Sequence, residues 1–106
     1  LMKAKLMSYN QIDLQSKAHM QMMIGDIEKA VETYKKEMRE AGLVSYTLTQ
    51  VWNKQGKFRL GQYWSYKDEK AFVACQKILN GIPVDEENPT IQNADRGVVL
   101  LHVGDE

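Results

Sequence analysis

Seven residues of this chain have types and spacing suited to chemistry on a small aromatic molecule: Asn10, Tyr46, Gln50, Trp52, Gln62, Trp64 and His102. All carry even numbers, and all fall in or beside segments with the two-residue period of β-strands. Matching strand phases would turn them onto one sheet face. Such a face has a catalytic pair in His102, the base, and Asn10, a neutral donor. Tyr46, Gln50, Trp52, Gln62 and Trp64 would bind the ligand, the tryptophans as an apolar wall and the amides as further donors. Together they suit removal of a proton from a bound phenol and stabilisation of the anion left behind. The same residues are compatible with ordinary sheet packing, because a single bulge reverses strand parity.

Other residues offer less. His19 adjoins Met20, Met22 and Met23, soft ligands for copper or the wall of an adaptable groove, but one histidine with thioethers is too few donors for a metal site. Asp85, Glu86 and Glu87 are consecutive, so they point in different directions and lack the spacing and glycine of a calcium loop. Cys75 lies on an apolar helical stripe with no adjacent base, as a buried small hydrophobe would. No phosphate-binding glycine loop, zinc spacing or nucleophile–histidine–acid pattern is present. No metal and no cofactor is expected.

These residues need a scaffold, and composition bounds it. The chain has 106 residues, 43% hydrophobic and 26% charged, which suits one folded domain, expected over residues 2–106. Leu1 ahead of Met2 reads as an expression remnant. Fourteen Lys and Arg balance fourteen Asp and Glu, a net charge of zero that argues against a nucleic-acid or acidic-lipid partner. One cysteine excludes an internal disulfide, no apolar run approaches a membrane span, and no secretory leader is visible, so a cytoplasmic location is expected.

Periodicity then divides the chain. Residues 2–12 alternate like a half-buried strand. Met20, Met23, Ile24, Ile27, Val31, Tyr34, Met38 and Ala41 make one helical stripe over about 16–41, ended by Gly42. Its start is open: Asp13 or Ser16 could cap it, or Gly25-Asp26 could restart it. Residues 43–53 and 57–66 read as a hairpin around Lys54-Gln55-Gly56. Residues 67–80 are helical, stopped by Gly81 and Pro83, and 83–96 read as a polar loop. The apolar run 97–103 reads as a final strand buried on both faces. The order β-α-β-β-α-β specifies a ferredoxin-like α+β fold: a four-stranded antiparallel sheet with two helices on one face.

That arrangement leaves the second sheet face bare. One strand parity holds Leu6, Val44, Tyr46, Leu48, Trp52, Phe58, Leu60, Trp64, Val98 and Leu100; the other still holds Met7, Tyr9, Thr47, Val51, Tyr63, Val99, Leu101 and Val103. An apolar second face predicts a homodimer through the open side of the sheet.

Two stretches, Gly42-Leu43-Val44-Ser45-Tyr46 after the long helix and Gln62-Tyr63-Trp64-Ser65-Tyr66-Lys67-Asp68-Glu69-Lys70-Ala71-Phe72 from strand to helix, resemble the dimeric α/β-barrel superfamily. The pattern is similar to that of antibiotic-biosynthesis-monooxygenase-like (ABM-like) domains, and the order of elements matches along essentially the whole chain. The resemblance implies two sheets facing each other across a dimer, and a small apolar pocket between each sheet and its helices. It also implies a small aromatic or apolar ligand and cofactor-independent monooxygenation; the alternative is a non-catalytic binding, interaction or assembly module of the same fold. The related haem-degrading branch uses a Trp and a His on the second helix and an Asn on the first strand. Asn10 matches the last, but 67–80 has neither Trp nor His, and Cys75 lies near where the aromatic would be. Haem degradation is not expected.

Overall fold

The computed structural model describes residues 3–83 and 91–104. Strand β1 (Leu6–Leu14) leads into helix α1 (Lys17–Glu40), followed by β2 (Leu43–Gln50), β3 (Phe58–Tyr66), helix α2 (Glu69–Asn80) and β4 (Ile91–Val98). The four strands form one antiparallel sheet in the order β2-β3-β1-β4, the ferredoxin-like arrangement.

Helix α1 starts at Ser16, the second of its two candidate caps, and not at Gly25-Asp26. Ser16 is extended, and its side chain accepts a hydrogen bond from His19 N at 3.0 Å. Gly25 neither restarts nor breaks the helix: its cost of about 1 kcal/mol is small beside the burial of a stripe running from Met20 to Met38. Gly42, at φ +113°, turns the chain directly from α1 into β2. Its carbonyl accepts from Lys67 N at 2.9 Å, tying the end of α1 to the start of α2. Asp68 caps α2 by accepting from Ala71 N at 2.8 Å.

Register settles the faces. Leu6, Ser8, Asn10, Ile12 and Leu14 of β1 stand opposite Tyr66, Trp64, Gln62, Leu60 and Phe58 of β3. These even positions turn toward the helices and pack in two apolar clusters. One joins Leu43 and Tyr66 to Met38, Ala71 and Cys75; the other joins Ile12, Leu14 and Leu60 to Met20. Between the clusters lie three buried polar residues, Ser8, Asn10 and Gln62. A bulge between Leu43 and Ser45 shifts β2 by one, so Leu43 and Tyr46 share the helix-facing side despite opposite parity.

Two expectations are corrected. The last strand is Ile91–Val98, not 97–103. It pairs with β1 from Asp13↔Ile91 to Leu6↔Val98, so the partner's length, rather than local apolarity, decides where β4 lies. A polar stretch serves because β4 is an edge strand supplying backbone hydrogen bonds; Ala94, Asp95 and Arg96 are exposed. Residues 100–103 follow as an exposed segment rather than a doubly buried strand. The open sheet face is also not the apolar surface expected. It carries Met7, Tyr9, Gln11, Asp13, Arg59, Gly61, Tyr63, Ser65, Thr47 and Thr49, with Asp13 and Arg59 in a two-pronged ion pair. Of the second set of residues, Met7, Tyr9, Thr47 and Tyr63 lie on it, whereas Val51 stands beyond β2 and Val99, Leu101 and Val103 follow β4.

Candidate functional site

A cavity of about 190 Å³ lies between the helices and the β2–β3 half of the sheet. Helix α1 supplies Ile27, Val31, Tyr34 and Met38 from the periodic stripe that also builds the core, with Ala30 beside them. Leu79 and Ile82, at and just beyond the end of α2, close another side, and Leu43, Tyr46, Gln62 and Trp64 form the sheet wall. Lys35 stands among the lining residues with its ammonium engaged by Glu32 Oε1 at 3.1 Å.

Two contacts organise the sheet wall. The Tyr46 hydroxyl donates to Gln62 Oε1 at 2.6 Å, and the Tyr46 and Trp64 rings pack with centroids 5.2 Å apart at 49°. Both follow from register: Tyr46 stands opposite Trp64, and Gln62 is two residues back on the same face of β3. Burial pushes the Tyr46 phenol above its ordinary value of 10, so at neutral pH it is a hydrogen-bond donor and not a base. With its oxygen occupied by Tyr46, the Gln62 amide leaves its nitrogen as the donor available to a guest.

Of the seven residues singled out in the sequence, Tyr46, Gln62 and Trp64 meet at this cavity. Asn10 is buried on the same sheet face, directly opposite Gln62 on β1, but outside the cavity lining. Gln50 ends β2 and is exposed; Trp52 is 91% exposed in the β2–β3 connection; His102 is exposed after β4. The structure therefore does not bring Gln50, Trp52 or His102 to the cavity of this protomer. The helical lining was visible as an apolar stripe but reads as core from sequence; Ala30 and Ile82 carried no signal, being an alanine and a residue after a helix stop. Helix α2 contains no Trp or His. His19 is buried in the first turn of α1 with no hydrogen-bond partner on either ring nitrogen. Among the described residues no group of three or more His, Cys, Asp or Glu is placed to hold a metal ion. Among the same residues no helix is long and apolar enough to cross a membrane.

Comparison with known proteins places this geometry in context. A family profile described as "Domain of unknown function (DUF6974)" matches residues 3–99. No curated protein matches the chain. Among solved structures, it is similar to a dimeric ferredoxin-like protein from an uncultured marine organism, with TM-score 0.84 and 27% identity over 95% of this chain and 100% of that one. It is also similar to the heme-degrader MhuD of Mycobacterium tuberculosis, solved with two hemes in its active site (TM-score 0.60, 16% identity, 93% and 99% of the two chains). A monooxygenase of Streptomyces coelicolor, ActVA-Orf6, solved with the ligand Nanaomycin D, matches with TM-score 0.57 and 12% identity over 97% and 94%. The chain thus has the ABM-like ferredoxin fold.

Proposed function

The chain belongs to the DUF6974 family, and we propose that it is a homodimeric binding protein for a small, uncharged apolar or aromatic molecule held in the cavity between sheet and helices. The cavity itself carries this reading. Its wall is aliphatic and aromatic apart from the Lys35 stem and one neutral polar pair, Tyr46 with Gln62. An apolar cavity of about 150 Å³ accommodates benzene, so about 190 Å³ suits a substituted single ring. One acceptor on that ring would receive the Gln62 amide nitrogen. Fixing orientation with a single polar contact in an apolar wall is how small-molecule sites are ordinarily built.

Cofactor-independent monooxygenation is the second reading, supported by the aromatic wall and the neutral donor at Gln62. It also needs a base; the titratable side chains lining the cavity among the described residues are Tyr34, Lys35 and Tyr46, of which burial keeps Tyr46 protonated and Lys35 is engaged by Glu32. The geometry therefore supports binding over catalysis. The homodimer is proposed through the open face of the sheet. There Tyr9 and Tyr63 reach over Gly97 and Gly61, their hydroxyl oxygens 3.2 Å from where a side-chain carbon would stand at each glycine, and both rings are partly exposed to a second sheet.

Binding is tested in a Trp52→Phe background, which leaves Trp64 as the one tryptophan. Titration with 4-methylphenol, followed by Trp64 fluorescence and by calorimetry, is expected to show one site per chain. Ala30→Phe, which fills the cavity, should abolish that binding, and Gln62→Leu should weaken it about tenfold by removing one hydrogen bond. Undiminished binding by Ala30→Phe would overturn the assignment. Oxygen uptake with electron-rich phenols, lost in a His102→Ala variant, would instead favour catalysis.

A further inference from the structure

The first turn of α1 buries a histidine that no described residue satisfies. His19 is 7% exposed, and neither of its ring nitrogens has a hydrogen-bond partner. A neutral imidazole carries one N–H and one lone pair, and leaving them unmatched in the interior costs free energy. Its neighbours on the helix are thioethers. Met22 and Met23 follow at three and four residues, a spacing that stacks side chains on one side of a helix with Cβ atoms about 5–6 Å apart. Long helical side chains lean back toward the N-terminus, so both methionines lie over the turn that holds His19. Met23 packs against the cluster of Ile12, Leu14, Met20 and Leu60, and Met22, 44% exposed, stands on the solvent side.

We propose that His19, Met22 and Met23 form a site for a soft monovalent metal ion of the copper(I) class, with the imidazole lone pair and the two sulfurs as donors. By residue count one histidine with thioethers is too few donors for an ordinary metal site; the buried, unmatched ring is what the fold adds. Harder ions are the wrong guests. Among the described residues no group of three or more His, Cys, Asp or Glu stands together, so zinc and calcium do not find their usual ligands. Copper(I) accepts thioether sulfur and imidazole in low coordination numbers. Charge points the same way. The N-terminal end of a helix carries partial positive charge, which opposes a divalent ion in the first turn about twice as strongly as a monovalent one. None of the three residues lines the cavity between sheet and helices, so this site stands or falls independently of the ligand proposed there.

The test uses the full chain in a Cys75→Ala background, because a thiol is itself a strong soft ligand. Silver(I), a redox-inert stand-in, is titrated with the methionine methyl resonances and calorimetry as readouts, and copper(I) in competition with bicinchoninate. One ion per chain is expected, with the Met22 and Met23 methyls shifted and that of Met38, near the far end of α1, unmoved. His19→Leu should keep the folded circular dichroism spectrum and bind at least about 100-fold more weakly. Met22→Leu/Met23→Leu conserves volume, so it tests the site independently of any loss of fold in His19→Leu, and should weaken binding about tenfold or more. Zinc should leave all resonances in place. Silver binding unchanged by these variants, zinc binding as tight as silver, or no uptake of either soft ion at micromolar concentration would each overturn the site. Binding lost in His19→Leu, with neither methyl shifted in the parent, would overturn the part played by the sulfurs.

Discussion

Replacing two glycines by alanine should shift stability in opposite directions, and the structure says by how much. At Gly42 a methyl group meets two obstacles. The backbone is at φ +113°, a conformation that costs a residue with a side chain about 1–3 kcal/mol. The new carbon would also overlap Cβ of Ala71, in the first turn of α2 and 4% exposed, and overpacking of this kind costs about 1–3 kcal/mol. Gly42→Ala should therefore lose about 2–6 kcal/mol of a total stability of about 5–15 kcal/mol. At Gly25, inside α1, a methyl group meets nothing within 4 Å, so Gly25→Ala should gain about 0.5–1 kcal/mol from helix propensity. Urea titrations at constant slope read both changes. On heating, Gly42→Ala should melt at least about 8 °C lower and Gly25→Ala about 2–6 °C higher. A double variant separates the two penalties at Gly42. Ala71→Gly removes the colliding carbon, so its combination with Gly42→Ala should be less destabilised than the sum of the single changes by about 1 kcal/mol or more. Effects of the same sign at both glycines would refute the reasoning. Strict additivity of the double variant would show that α2 does not lean on Gly42. The cavity is linked to this contact, since Leu79 and Ile82, at and beyond the far end of α2, form part of its wall.

Four further outcomes follow from individual groups. Tyr46→Phe removes the donor to the buried Gln62 carbonyl and should cost about 1–3 kcal/mol in denaturant titrations; a loss under about 0.5 kcal/mol would mean that the amide finds another partner. Tyr46 and Tyr66 are both raised above 10, chiefly by burial, so their contribution to stability is complete below pH 10 and declines as pH rises beyond it. Ultraviolet titration should show both phenols ionising only as the chain unfolds. Asp13 runs the other way: its hydrogen bond from Arg59 lowers its carboxyl from 3.8, so the pair stabilises above that pH and the contribution fades as pH falls through the lowered value. Thermal melts of Asp13→Asn and its parent should thus converge in acid, and salt should narrow their difference at pH 7. Cys75 is fully buried, and burial pushes its thiol up, so a disulfide reagent should modify it no faster than the chain opens; rapid modification of the folded protein would contradict the packing of α2.

Local pattern carried the architecture because its signals are short-ranged. The three- and four-residue spacing from Met20 to Ala41 predicts α1, the Ala71–Leu79 stripe ended by Gly81 and Pro83 predicts α2, and the β-branched and aromatic residues of 43–53 and 57–66 around Lys54-Gln55-Gly56 predict the hairpin. Tyr46, Gln62 and Trp64 were legible as a set because strand parity is a local property and their two strands are joined by a short connection. Three decisions were not local. The bulge at Val44 re-phases β2, and only the pairing of Leu43 with Tyr66 and of Ser45 with Ser65 reveals it. The polar segment from Ile91 becomes β4 because β1 offers nine residues of unsatisfied backbone, a demand that outweighs its own loop-like composition. The apolar run 97–103 reads as interior by every local measure, yet the ladder ends at Val99 and leaves Leu100 to Val103 on the surface. Composition and period determine which elements form and which face of each is apolar. Where each edge ends, what fills a cavity and what stays uncovered depend on contacts between residues far apart in the chain, and only the assembled sheet decides those.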